Sequence, residues 1–380
     1  MKALVLALFS LSLAAVETPK GNEAPFQWSS SQRYRSQFEE QEKLALDPKK
    51  EWSTNSLLII KDDEILFEGY YNGFNRAQKQ RIWSISKTFS GALIGVALNK
   101  DLFKLSTRVA TFYPAFKGQF EKTISIEHLL SMTSGLDWKE GYESSPFASH
   151  VIKMLYLDKQ KDMATFISER SVTQSPGRIF HYSSGETNLL LGALKKAVAN
   201  EQVYNEFPWE ELFTPLGIKE ATWEQDGSGT FVGSSYLYLR PRDTARFARL
   251  YLNKGSWQGK QIIAQSFVQN SLTPTLASCQ TLPEDPNLPL SYGWLWWLNG
   301  NCPAGAKSKK TRKAFKELPS TLAMGLGHHG QTLAIFPSLN AIAIRTGADK
   351  KQSFDREGWL NAVYKVLKKV PSNKEEGAPL

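Results

Sequence analysis

Hydrophobic and polar positions divide the chain into segments of different period. Leu57-Leu58-Ile59-Ile60, the polar turn Lys61-Asp62-Asp63-Glu64 and Ile65-Leu66-Phe67 predict a β-hairpin, two short apolar runs around a turn cluster. From Ser84 to Asn99, Phe89, Ala92, Leu93, Val96 and Ala97 recur at helical spacing. That segment is apolar nearly all round, which predicts a buried helix. Gly91 and Gly95 on it predict close packing against another element. From about Ser106 to Gly255 short helical segments alternate with turn clusters, and few runs look like strands. Gln331 to Phe336, the turn Pro337-Ser338-Leu339-Asn340 and Ala341 to Thr346 predict a second hairpin. A terminal amphipathic helix follows from about Arg356 to Val370, with Trp359, Val363 and Leu367 on one stripe. The polar lead-in holds one helix, near Gln37 to Leu44. Hairpins toward both ends with helices between them predict an α/β (α+β) fold. One antiparallel sheet is built from both chain ends and flanked by helices, with an inserted, mostly helical domain.

The first residues follow another pattern. Met1-Lys2, the apolar run Ala3 to Leu13 and the small residues Ala14 and Ala15 read as a secretory signal, too short to span a bilayer. An uncleaved anchor is the alternative. The expected boundaries are a leader at 1–15, a lead-in at 16–53, one domain at 54–370 with its helical part at about 106–255, and a disordered tail at 371–380. The expected product is exported, periplasmic or secreted, with no transmembrane segment in the mature chain. A composition 41% hydrophobic and 22% charged excludes the disordered and membrane classes. Cys279 and Cys302 leave a disulfide open in an exported chain. They lack any His or Cys neighbour at metal-ligand spacing, so a structural zinc site is not expected; no metal and no cofactor are expected elsewhere either. The net charge of +9 is partly gathered in Lys307, Lys309, Lys310, Arg312, Lys313 and Lys316. Aromatic residues are not interleaved with that run, which argues against nucleic acid. Attraction to a cell wall or an anionic substrate, and a merely solvated loop, both stay open.

Three clusters can do chemistry. In Ser84-Ile85-Ser86-Lys87, residues three apart share one face of a helix, so Lys87 stands about one turn from Ser84. A partly desolvated lysine there can take the serine proton, and the helix N-terminus faces the place where an anionic intermediate would form. A helix cap with a surface lysine is the alternative. The second cluster, Pro176-Gly177-Arg178-Ile179-Phe180-His181-Tyr182-Ser183-Ser184-Gly185, precedes Leu189-Leu190-Leu191 and is expected to present Tyr182 and Ser184 on an exposed loop. A tyrosine beside an ammonium group can lower its own pKa and shuttle a proton; a structural tyrosine is the alternative. The third, Gly327-His328-His329-Gly330-Gln331, opens a strand whose N–H could donate to an oxyanion, with glycines that let a ligand approach. A metal site or plain surface histidines are the alternatives for His328 and His329, but as strand neighbours they are expected to point to opposite faces and not to chelate one ion together.

In this order the clusters resemble those of the serine β-lactamase and penicillin-binding-protein superfamily, in its class C-like branch of esterases, D-aminopeptidases and 6-aminohexanoate-oligomer hydrolases. His128-Leu129-Leu130-Ser131-Met132-Thr133-Ser134-Gly135-Leu136 is similar to an element of that branch. So are Pro215-Leu216-Gly217, Tyr238 to Phe247 and Tyr292-Gly293-Trp294 to Trp297. The likeness spans roughly Thr54 to Gly347. It implies a β-lactamase/transpeptidase-like fold and acyl transfer through Ser84, with Lys87 and Tyr182 as the acid–base pair. It also implies an oxyanion hole from the backbone N–H groups of Ser84 and Gln331. Ser184, His328, His329 and Gly330 would bind a small-molecule or short-peptide substrate. His328 stands where the third motif usually carries lysine, and Ser184 where the second often carries asparagine; both departures weaken β-lactam recognition. The expected function is therefore ester or amide hydrolysis. The alternatives are a cell-wall DD-peptidase or β-lactamase, and a non-catalytic binding protein on the same fold. No Gly-x-Ser-x-Gly elbow is present to suggest an α/β-hydrolase.

Overall fold

The computed structural model describes residues 26–30, 34–141, 149–157, 161–280, 291–300, 302, 314–350 and 353–372. The expected leader, most of the expected tail and the basic residues from Lys307 to Lys313 lie outside them; Lys316 is exposed.

Strands β1 (Ser29–Ser30), β2 (Thr54–Lys61), β3 (Glu64–Tyr70), β4 (Gln80–Arg81), β5 (Thr222–Trp223), β6 (Leu237–Leu239), β7 (Ser256–Trp257) and β8 (Lys260–Gln261) come first in the chain. They are followed by β9 (Ser291–Tyr292), β10 (Trp297–Leu298), β11 (Ala323–Gly327), β12 (Gln331–Phe336) and β13 (Ala341–Gly347). Eight of them form one sheet in the order β1-β3-β2-β13-β12-β11-β10-β9, antiparallel except at the β1 edge. The β2–β13 pairing joins the two ends of the chain, as the sequence predicts. Both predicted hairpins form. Asp62 and Asp63, with φ of 48° and 64°, make the two-residue turn that matches the strands' right-handed twist. Every residue of β2, β12 and β13 is buried, so the centre of the sheet is covered on both faces.

The helices are α1 (Glu39–Ala45), α2 (Ser86–Asn99), α3 (Ile126–Leu130), α4 (His150–Ile152), α5 (Met163–Ser168) and α6 (Ser184–Val198). After them come α7 (Glu201–Pro208), α8 (Pro241–Leu252), α9 (Gln265–Ser271), α10 (Leu276–Gln280) and α11 (Arg356–Leu367). Helices α8 and α11 pack on the sheet, and α11 is also tied to α1 by the Gln41 amide donating to Ala362 O. Bidentate Arg242–Glu68 and Arg249–Asp63 pairs lock α8 to the β2–β3 hairpin. Helix α2 is buried from Ser86 to Ala97. A Cβ on Gly95 would come within 2.8 Å of Ile263 and 2.9 Å of Phe267, the close packing its glycines predict. Cys279 and Cys302 are bridged, with Cα atoms 5.6 Å apart. Among the described residues no helix is long and apolar enough to cross a membrane.

Candidate active site

A one-turn 3-10 helix, Trp83–Ile85, leads into α2 and carries Ser84, which keeps access to solvent. Trp83 sits in the left-handed region at φ 50°, a conformation that costs a bulky residue on the order of 1 kcal/mol or more. Its ring is held by contacts with Arg81 at 4.3 Å and with His328 and His329, both at 5.3 Å. One helical turn on, Lys87 is only 1% exposed. Its ammonium donates to Ser84 Oγ at 2.8 Å, to Ser184 Oγ at 3.0 Å and to Ser234 O at 3.2 Å. Burial pulls its pKa down to about 8, against a smaller upward pull from the Glu140 carboxylate.

Tyr182 is half-buried, and Lys87 Nζ lies 4.8 Å from its ring centre. Its ring stacks on Trp297 at 5.2 Å and meets Tyr292 edge-on, so the β9–β10 edge of the sheet backs it. The expectation that the neighbouring ammonium acidifies this phenol fails. Desolvation, then the Glu140 charge, push its pKa well above the usual phenol value, and a hydrogen bond with Ser84 opposes them only in part.

The second cluster is also less exposed than predicted. Ser184 opens α6 and is fully buried, because its hydroxyl bridges two charged groups: it accepts from Lys87 and donates to Glu140 Oε1 at 2.6 Å. Glu140 also accepts from Ser184 N at 2.9 Å and from Trp138 Nε1 at 2.5 Å. The loop before Tyr182 is braced from below by the segment after α3. His181 N donates to Met132 O, Gly177 N to Thr133 O, and Ser134 Oγ to Glu186 Oε1 at 2.7 Å. Burial pushes the Glu186 carboxyl up to about 8, so it is protonated at neutral pH.

The third cluster departs from a strand. His328–Gly330 form a 3-10 turn between β11 and β12, with His329 at φ 58°. The two imidazoles therefore do not project to opposite faces but meet at 4.1 Å between ring centres. Burial, then the neighbouring His329, pull the His328 pKa down to about 4, leaving it neutral at pH 7. The two glycines have different reasons. A Cβ on Gly327 would strike Ile82 O at 2.5 Å, so glycine there lets β11 lie against the segment that carries Ser84. A Cβ on Gly330, at φ 76°, would strike Asp349 Oδ2 at 1.9 Å. It belongs to a fully buried Arg345–Asp349 pair, whose guanidinium also donates to Gly330 O at 2.9 Å. Gln331 follows as the first residue of β12, its side chain tied to Gly347 and its body 2% exposed.

Thus Ser84, Lys87, Tyr182 and Ser184 converge directly, and the His328–Gln331 turn reaches them through Trp83. Sequence reasoning missed Glu140, Ser234 and Glu186. The acidic residue two after Trp138 carried the only local signal, and its partner, Ser184, is 44 positions away. Among the described residues no cluster of His, Cys, Asp and Glu could hold a metal.

The family match and the relatives make this chain a hydrolase of the serine hydrolase superfamily that contains the β-lactamases. Residues 49–355 match the family described as Beta-lactamase, and the chain belongs to that family. It is 22% identical over 310 residues to the 6-aminohexanoate-dimer hydrolase of Paenarthrobacter ureafaciens, covering 78% of this chain and 72% of the relative. Among solved structures it is similar to EstCE1, described as a hydrolase with promiscuous acyltransferase activity. That match has a TM-score of 0.64 and 14% identity, and covers 87% of this chain and 98% of the other. It is also similar to the octameric penicillin-binding protein homologue from Pyrococcus abyssi, with a TM-score of 0.61, 14% identity and coverage of 90% and 77%.

Proposed function

We propose that the protein cleaves small esters or amides through an acyl-enzyme on Ser84. Lys87 carries the proposal: a buried amine with its pKa near 8 stands 2.8 Å from a serine hydroxyl that solvent can reach. In its neutral form Lys87 takes the Ser84 proton as Oγ attacks the carbonyl carbon. The carbonyl π pair moves onto oxygen, and the backbone N–H groups of Ser84 and Gln331 are the donors for that oxyanion. Tyr182, kept protonated by burial, acts as an acid. Its hydroxyl gives a proton to the leaving oxygen or nitrogen as the bond to carbon breaks, and is reprotonated from the Lys87 ammonium. Water then attacks the acyl-enzyme, giving its proton to Lys87, and Ser84 is released with a proton returned. Ser184 and Glu140 position Lys87, while His328, His329 and Gly330 border the substrate.

A non-catalytic binding role gives no reason to bury an amine against a serine with only neutral groups accepting its hydrogen bonds. A β-lactamase or DD-peptidase role is less well supported, because the third motif offers a neutral imidazole at the position where the resemblance places a lysine. The protein is further proposed to be exported, on the leader pattern of residues 1–15 and the Cys279–Cys302 bridge, which suits an oxidising compartment. A panel of p-nitrophenyl butyrate, an amide oligomer and nitrocefin tests the substrate class. Turnover of the ester or the amide should exceed that of nitrocefin, and Ser84→Ala should abolish it. Faster nitrocefin turnover that is lost in Ser84→Ala would reverse the assignment.

A further inference from the structure

Arg81 stands three residues before Ser84, at the end of β4. Its guanidinium lies 4.3 Å from the Trp83 ring, 5.5 Å from Tyr236 and 5.7 Å from Tyr238. Two arms of the active site thus bracket it. Trp83 immediately precedes the nucleophile, and Tyr236 lies two residues beyond Ser234, whose carbonyl accepts from Lys87. The pairing of β4 with β6 sets Arg81 directly opposite Tyr238, which fixes the stem in this place.

Three aromatic faces hold the cation, and among the described residues none accepts from its N–H groups. Among the described residues no carboxylate stands within the 4.0 Å ion-pair distance of Arg81, and its guanidinium donates no hydrogen bond. Glu224, the nearby acid, is instead taken by the Tyr238 hydroxyl at 2.7 Å. Other arginines of this fold are satisfied, Arg242 by Glu68, Arg249 by Asp63 and Arg345 by Asp349. Arg81 is half-buried while its nitrogens keep contact with solvent, so a ligand can reach them. The remaining polar groups at this site cannot play its part: Lys87 is buried against Ser84, and His328 is neutral. A guanidinium steadied by three rings, one of them the Trp83 ring that precedes the nucleophile in the chain, matches a carboxylate in geometry and charge.

We infer that Arg81, seated among Trp83, Tyr236 and Tyr238, binds a carboxylate of the substrate, so that the enzyme selects anionic esters or amides. This deepens the proposed hydrolase and rests on Ser84 being the reacting residue. The carboxylate can belong to the acyl half or to the leaving half, and the test separates them.

Binding is measured by calorimetry at low salt on full-length Ser84→Ala protein, with two anilides. N-phenylglutaramate carries its carboxylate on the acyl half, and 4-(butyrylamino)benzoate carries it on the amine half; each is compared with its methyl ester. One of the acids should bind about tenfold tighter than its ester, or more, the scale of a charge-assisted pair. Arg81→Met, which keeps the stem over Trp83, should bring that ratio close to one, and Arg81→Lys should retain part of it. Arg81→Gln serves if the methionine variant does not fold. Equal binding of acid and ester in both pairs overturns the site, and so does a preference that survives in either folded neutral variant. A preserved acid preference in a protein whose Ser84 never acylates would refute the hydrolase alone, and acylation without the preference would refute Arg81 alone.

Discussion

Replacing Lys87 by alanine is expected to lower kcat by roughly 100-fold or more, the scale of a lost general base. The physical cause is the buried amine. With a pKa of about 8, about a tenth of Lys87 is neutral at pH 7, and only that fraction can accept the Ser84 proton. The sign of the pH dependence follows. As pH falls below 8 the amine becomes charged and kcat/KM should drop about tenfold per unit, while above 8 it should level off. Glu140 raises the Lys87 pKa, so Glu140→Gln should move the acid limb to lower pH. Initial rates on a neutral ester across pH 5 to 10 measure all three effects. An unchanged limb in Lys87→Ala, or a limb displaced upward in Glu140→Gln, would contradict Lys87 as the base.

Asp349→Ala should destabilise the fold by about 3–5 kcal/mol, because it leaves the Arg345 guanidinium buried with its main counter-charge removed. Both side chains are fully buried, and Asp349 Oδ1 accepts from Arg345 Nη2 at 2.7 Å and from Ser53 N at 2.7 Å. Arg345 Nε donates to Thr54 Oγ1 at 2.9 Å, so the loss reaches β2 as well as the His328–Gly330 turn. Denaturant unfolding followed by tryptophan fluorescence reads the change. A shift under about 1 kcal/mol would mean that the pair adds little to the fold, as exposed ion pairs do.

The elements were legible where their period is local. The two hairpins and α2 follow from alternating or helical runs, and the sheet joining both chain ends follows from where those runs lie. The Ser84–Lys87 spacing is legible for the same reason, since three residues on a helix always share a face. What could not be read depends on partners distant in sequence. Glu140 meets Ser184 only because the segment after α3 passes over the start of α6. Arg345 and Asp349 look like ordinary charged residues near a strand end, yet their burial decides why residue 330 is glycine and why His329 leaves the strand direction. Tyr182 shows the same limit in its chemistry. Proximity to an ammonium suggests a lowered pKa, but desolvation and Glu140, both tertiary effects, reverse the sign.

Intact-protein and peptide mass spectrometry after reaction with a fluorophosphonate tests the central assignment most directly. One phosphonyl adduct is expected, located to the peptide that contains Ser84, and it should be absent from Ser84→Ala and strongly slowed in Lys87→Ala. An adduct on another serine, or a folded protein that takes up none, would contradict the account.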